Sequence, residues 1–266
     1  MRATDLVPLR LRSGLALALA SAVGLAAFLW PFFVEAGTPL EGSSHAGDAP
    51  FLFVAVLPLL AAIVLAELTS GGMDAKAVAM LGMLAAVGGA LRALGPGVAG
   101  LEPSFAVIIL GGRVFGRGFG FVLGATTLLT GALITGGVGP WLPFQMMAAG
   151  WVGFLAGCLP RSRGRVELLV VGAYAALAGL GFGLIMNIWF WPFVSYGPEV
   201  SYVAGDALAA NLGRYAVFYL TTSLLWDLGR SLMTLLVVLL AGSSLLRALR
   251  RAGRRAAFDA PVVFER

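Results

Sequence analysis

Along this chain, apolar residues gather into long unbroken runs instead of alternating with polar ones. A helix rises about 1.5 Å per residue, so a run of ~20 residues matches the ~30 Å hydrocarbon core of a bilayer. The pattern predicts helical spans over about residues 15–34, 51–66, 75–94, a shorter 101–115, 118–134, 141–159, 166–189 and 215–240. Polar, glycine- and proline-bearing segments separate them. The predicted fold class is all-α, a polytopic transmembrane helix bundle. Glycines recur at four-residue spacing: Gly112, Gly116, Gly120 and Gly124, then Gly153 and Gly157, then Gly179 and Gly183. That spacing lets helix backbones approach closely, and packing within one bundle is the expected use.

Composition agrees with the pattern. Hydrophobic residues make up 59% of the 266 residues and charged ones 12%, about half the charge of a soluble domain. The basic residues, all arginine except Lys76, are placed asymmetrically. Fifteen of them (Arg2, Arg10, Arg12, Lys76, Arg113, Arg117, Arg161, Arg163, Arg165, Arg247, Arg250, Arg251, Arg254, Arg255 and Arg266) fall on one side of the predicted topology, and Arg92 and Arg214 on the other. By the positive-inside rule this predicts a bacterial cytoplasmic (inner) membrane protein with both termini cytoplasmic. The basic pI then reflects topology and not nucleic-acid binding. The first apolar run ends in Trp-Pro-Phe-Phe and not in a small-residue cleavage site, so it is expected to be retained.

Several chemistries are disfavoured at once. The single cysteine, Cys158, permits no internal disulfide, and the single histidine, His45, lies in a polar loop. No Cys/His metal cluster is expected, nor a cofactor, and the scattered carboxylates give a membrane enzyme of lipid or isoprenoid metabolism little to work with. Gly116-Arg117-Gly118-Phe119-Gly120 lacks the Gly-Lys-Ser/Thr of a phosphate loop.

The most informative stretch is Gly136-Gly137-Val138-Gly139-Pro140-Trp141-Leu142-Pro143-Phe144-Gln145-Met146-Met147. Proline suits a first helical turn. Trp141 and Gln145, four apart, share a helix face, and a glutamine there avoids lipid by facing a cavity or another helix. With Gly153-Phe154-Leu155-Ala156-Gly157 following and residues 111–125 preceding it, this stretch resembles the substrate-binding S components of energy-coupling factor (ECF) vitamin transporters. The resemblance covers about residues 75–240. It divides the chain into an N-terminal pair of transmembrane helices (1–74), a six-helix S-component-like core (75–242) and a basic cytoplasmic tail (243–266).

The resemblance implies a non-enzymatic subunit of an ABC importer. Such a subunit binds a vitamin from outside and releases it inward when coupled to a membrane coupling subunit and cytoplasmic ATPases. It also implies that Ala75 and Ala79 match the family's Ala-x-x-x-Ala contact with the coupling subunit, although alanine pairs at this spacing are common. Pocket candidates come from the outward helix ends: Arg92, Glu102, Trp141, Gln145, Asn187, Trp189, Trp191 and Tyr196. Aromatics would stack on a flat heterocycle while Asn and Gln fix its polar edge. Alternatively, Trp189 and Trp191 belong to an interfacial aromatic belt, and Arg92 and Glu102 are solvated loop charges. Asp227 and Arg230, three apart in the last span, are expected to pair in a structural or coupling role. The tail arginines are expected to meet anionic lipid or the coupling proteins. Cobalamin is the first expectation for the ligand, from the likeness of Trp226-Asp227-Leu228-Gly229-Arg230 to the ending of some family members. Thiamine-related or other heterocyclic compounds are the alternative.

Overall fold

The computed structural model describes residues 11–33, 75–95, 100–194 and 196–256. Among these the chain is helical, with no strand. The helices are α1 (Leu11–Leu29), α2 (Ala75–Ala93), α3 (Ser104–Phe115), α4 (Arg117–Thr135), α5 (Leu142–Cys158), α6 (Gly164–Phe190), α7 (Leu208–Thr222) and α8 (Leu224–Ala256). Single 3-10 turns, Trp30–Phe33 and Trp191–Phe193, close α1 and α6. Among the described residues, four stretches are long and apolar enough to cross a bilayer: Ala75–Ala93, Arg117–Thr135, Gly164–Phe193 and Leu224–Arg255. The predicted span over 51–66, His45 and Arg266 lie outside the described residues.

Two expectations change. The single predicted span over 215–240 is two helices, because the backbone breaks at Ser223 (φ −125°, ψ −27°) between α7 and α8. The break falls at Thr221-Thr222-Ser223, with apolar residues on both sides, so the run reads as one span in hydropathy. The stretch over 101–115 is a 12-residue helix, only about 18 Å long. It is enclosed by its neighbours, with every residue buried except Val107 and Arg113. A helix apolar on all sides is stable when it is surrounded, and α3 is the hub on which α2, α4, α5, α6 and α8 pack.

Glycine sets the spacing around that hub. Gly116 (φ 104°) joins α3 directly to α4 without a linker, a conformation that disfavours any side chain. The hairpin packs on α5 through backbone contact. A β-carbon on Gly112 or Gly120 would strike the carbonyl oxygen of Gly153, and one on Gly153 would strike that of Gly120. Gly124 meets the Ala149 carbonyl in the same way. α6 and α8 also approach at glycines, with Gly179 against the backbone and hydroxyl of Ser231 and Gly183 against the Asp227 carboxylate. The recurring glycines therefore close contacts inside one bundle.

α1 docks on α5 and α6. The Phe28 ring meets Phe144 edge-on at 5.1 Å, and Trp151 Nε1 donates to Ser21 Oγ at 2.9 Å. The Tyr202 hydroxyl, in the α6–α7 connection, donates to the carbonyl of Pro31. At one end of the bundle Arg113 and Arg250 both donate to Glu167, which is buried, and so join α3, α6 and α8.

The packing separates two kinds of glycine. Gly153→Ala should destabilise the detergent-solubilised protein by at least about 1–3 kcal/mol, because backbone and not a side chain blocks the added methyl. Gly181→Ala, with nothing within 4 Å, should be neutral or raise stability by a few tenths of a kcal/mol through helix propensity. Parallel thermal melts measure both, and equal melting temperatures for the two variants would contradict the glycine packing.

Candidate functional site

At the end of the bundle opposite Glu167, five elements bring polar groups together. Arg92 is in the last turn of α2, Gln145 in the first turns of α5, Asn187 near the end of α6 and Arg230 near the start of α8. Glu102 comes from the α2–α3 connection. Local backbone explains that placement: Gly100 has a left-handed φ of 74°, and a β-carbon there would strike the Trp226 carbonyl. Glycine at this turn lets the connection lie against the first turns of α8, which carries Glu102 to Arg230.

Arg230 is matched on every side. Its Nε donates to Glu102 Oε2 at 2.9 Å and its Nη1 to Asp227 Oδ1 at 2.5 Å, with a longer bond to the Gly179 carbonyl at 3.4 Å. Its guanidinium lies 5.0 Å from the centre of the Phe182 ring and 5.6 Å from that of Phe105. Arg92 Nη1 stands 3.4 Å from Glu102 Oε1, and Arg92 Nη2 donates to Gln145 Oε1 at 2.9 Å. Burial alone would push the Glu102 carboxyl up, but the Arg230 and Arg92 guanidinium groups overcome it and hold the pKa below its ordinary value. The chain from Asp227 through Arg230, Glu102 and Arg92 to Gln145 thus ties α8, the α2–α3 connection, α2 and α5 into one network.

Two adjoining cavities open beside this network. One, about 320 Å³, is lined by Trp141, Gln145, Met186, Asn187, Trp189 and Phe190. The other, about 220 Å³, shares Gln145, Met186 and Asn187 and continues to Ser223, Trp226, Asp227 and Arg230. Together they form a cleft between α5, α6 and the α7–α8 break. Ser223 Oγ donates to Asn187 Oδ1 at 2.9 Å, and Asn187 Nδ2 donates to the Gly183 carbonyl at 2.9 Å. The break therefore holds the Asn187 amide in place. Trp141 is fixed at the cleft mouth by its Nε1–H, which donates to the Gly137 carbonyl at 3.1 Å. The entry to α5 is shaped by Gly136 (φ 70°), which ends α4, and by a proline in the first turn of α5.

Of the pocket candidates, Trp141, Gln145, Asn187 and Trp189 line the cleft, and Arg92 and Glu102 join it through the ion-pair network. Arg92 and Glu102 are paired and largely buried, not solvated loop charges. Trp191 and Tyr196 lie elsewhere. Trp191 is buried in a separate aromatic cluster with Tyr215 and Phe218, and its Nε1 donates to the Val200 carbonyl at 2.6 Å. Tyr196 is exposed on the connection, against Phe218. Asp227 and Arg230 pair as expected, but they also line the cleft, and the third partner, Glu102, was not foreseen. The lining residues missed in the sequence include Gly183, Met186 and Phe190. Gly183 and Phe190 lie four and three positions from Asn187, so extending Asn187 along its helical face would have found them, whereas Met186 directly precedes it and carries no such signal.

Ala75 and Ala79 are exposed at the start of α2, about 26 and about 20 Å along that helix from Arg92. The chain matches no family model, no curated protein and no solved structure.

The network makes a stability prediction. Arg230→Met should destabilise by about 3–5 kcal/mol, because Asp227 and part of Glu102 would be left buried and unpaired. Adding Glu102→Gln and Asp227→Asn should recover most of the loss by removing the uncompensated charges. Thermal or denaturant unfolding in detergent measures both. A single variant as stable as the wild type would contradict the network.

Proposed function

We propose that this protein is a membrane-embedded solute-binding subunit of an importer, working as the S components of ECF transporters do. It takes a compact heterocyclic micronutrient into the cleft at its outward end. It releases the cargo inward when associated with a membrane coupling subunit and cytoplasmic ATPases. The observation that carries this assignment is the cleft itself. Two polar side chains, Gln145 and Asn187, rise between aromatic rings at one helix end, a combination suited to a flat ring with a polar edge. The motif resemblance over residues 75–240 supports the same assignment. The asymmetry of basic residues supports placing the cleft outward, with both termini and Arg161, Arg163, Arg165 and the α8 arginines in the cytoplasm.

The size of the cleft favours the smaller ligands. Its larger cavity, about 320 Å³, lies at the lower end of the ~300–1,000 Å³ that small-molecule sites occupy, and the adjoining one, about 220 Å³, is smaller still. A ligand of one or two rings, thiamine-related compounds among them, fits this space better than the cobalamin macrocycle. The other end of the bundle suits a partner. Ala75 and Ala79 are uncovered, and α1 packs on α5 and α6, away from them. Small residues there allow a coupling helix to approach closely.

Two variants tested side by side separate these roles. Gln145→Leu removes the acceptor of Arg92 Nη2 and should cost some stability, yet the protein should still insert and bind solute roughly ten- to a hundredfold more weakly, since a polar edge left unpaired on burial loses about 1–3 kcal/mol. Leucine at both Ala75 and Ala79 should leave binding intact and abolish co-purification with the coupling subunit and uptake. Binding is read by calorimetry on purified protein and assembly by affinity pull-down. If the alanine variant assembles and transports normally, or if Gln145→Leu binds unchanged, the corresponding assignment is wrong.

A further inference from the structure

We propose that the cleft selects solutes with a hydrogen-bond acceptor edge, a ring nitrogen or a carbonyl oxygen received by the Gln145 amide nitrogen, and that Arg92 is the positioning residue that turns the amide this way. The assignment rests on the cleft being the solute site proposed above, and it adds the sense of the polar contact.

A glutamine can offer a cleft either its acceptor oxygen or its donor nitrogen, and half a turn of the amide exchanges the two. Here Arg92 decides between them. A guanidinium carries donors and no acceptor, so the amide oxygen must face it, and Arg92 Nη2 donates to Gln145 Oε1 at 2.9 Å. Arg92 is itself directed by Glu102, whose Oε1 stands 3.4 Å from Nη1, and it lines neither cavity. Gln145 lines both. With Oε1 turned to Arg92, the Nε2 amino group is the end left to the cleft. Among the described residues nothing accepts from it, and it is not among the nitrogens that are shut off by burial.

The other polar groups of the lining have their acceptors engaged or have none. Asn187 is oriented by the same logic. The Gly183 carbonyl can only accept, so Nδ2 faces it at 2.9 Å, and Oδ1 accepts from Ser223 Oγ at 2.9 Å. Ser223 Oγ also meets Thr222 Oγ1 at 3.0 Å. Asp227 gives Oδ1 to Arg230, and its Oδ2 is buried against the Gly183 backbone. Arg230, Trp141, Trp189 and Trp226 carry donors only. The ionic groups beside the cleft balance, Arg92 and Arg230 against Glu102 and Asp227, so nothing there asks for a charged edge. A solute that brought an N–H to Gln145 would set donor against donor and leave both unpaired on burial. The ligand class is therefore an uncharged heterocycle of one or two rings, with unsubstituted ring nitrogens or carbonyl groups along the edge that meets α5.

Quinoxaline and indole test this on the full-length protein in nanodiscs, with empty nanodiscs as the blank. Both are two-ring compounds of similar size and uncharged near neutral pH. Quinoxaline offers ring-nitrogen acceptors, and indole offers one N–H donor. Calorimetry reports binding. The wild type should bind quinoxaline at least roughly tenfold more tightly than indole. Gln145→Glu keeps the side-chain length and an oxygen for Arg92 but has no amino group for the cleft, so it should abolish or reverse that preference. Arg92→Met frees the amide to turn and should shrink the preference, whereas Arg92→Lys, which can also only donate, should retain most of it. A merely structural role for Arg92 would lower both probes alike. Gln145→Glu decides the matter should Arg92→Met fold poorly. Indole bound by the wild type as tightly as quinoxaline, or an unchanged preference in Gln145→Glu, overturns the proposal; loss of that binding in Gln145→Leu would still place a solute in the cleft. If neither probe binds, the proposal fails, and the solute-site assignment fails with it only if Gln145→Leu purified from cells also retains the same small molecules as the wild type.

Discussion

A guanidinium placed within an apolar bundle must be matched on all sides, and much of this structure follows from meeting that demand at Arg230. Taking such an ion out of water is tolerable only with well-formed pairs and hydrogen bonds. Here two carboxylates, a carbonyl and two phenyl faces supply them. Each partner fixes a different element. Glu102 needs the left-handed turn at Gly100, Asp227 needs the bare backbone of Gly183, and Phe105 and Phe182 come from α3 and α6. Because Glu102 also faces Arg92, and Arg92 bonds Gln145, the same network positions a side chain that lines the cleft. The ion-pair network and the cleft lining are thus two ends of one hydrogen-bonded chain. The expected structural role for Asp227 and Arg230 is compatible with their contact with the cleft.

The bundle divides its work between its ends. Where the cleft opens, helices are separated by aromatic and polar side chains. Around α3 they touch backbone to backbone through Gly112, Gly120 and Gly153. At the far end Arg113, Glu167 and Arg250 form a second buried ionic knot. A tightly closed middle with ionic knots above and below makes the bundle a stiff body.

The parts of this structure written in local periodicity were legible in the sequence. Long apolar runs located the helices, and the Pro-Trp-x-Pro-Phe-Gln entry located one wall of the cleft, since Trp141 and Gln145 are neighbours on one helix face. Asn187 stood out as an amide inside an apolar run, and the structure sets it across the cleft from Gln145. Features that depend on contacts between distant segments were not legible. The break at Ser223 falls in a short hydroxyl run, Thr221-Thr222-Ser223, which a span tolerates between its apolar flanks, so it does not stand out. Its reason is tertiary, a hydrogen bond from Ser223 to Asn187. The pairing of Glu102 with Arg230 joins residues far apart in the chain, and hydropathy carries no information about it. Trp191 looked like a ligand-stacking residue or a belt residue because composition cannot distinguish those uses from a buried aromatic cluster, which is where it sits.

The claim at the centre of this account is that the cleft beside the Arg230 network holds a small solute. The most direct measurement is mass spectrometry of small molecules retained by the protein purified from cells, with wild type and Gln145→Leu prepared in parallel. The account predicts a compact solute that accompanies the wild-type protein in near-stoichiometric amount and is depleted from the variant. The same small molecules at the same level in both preparations would contradict it.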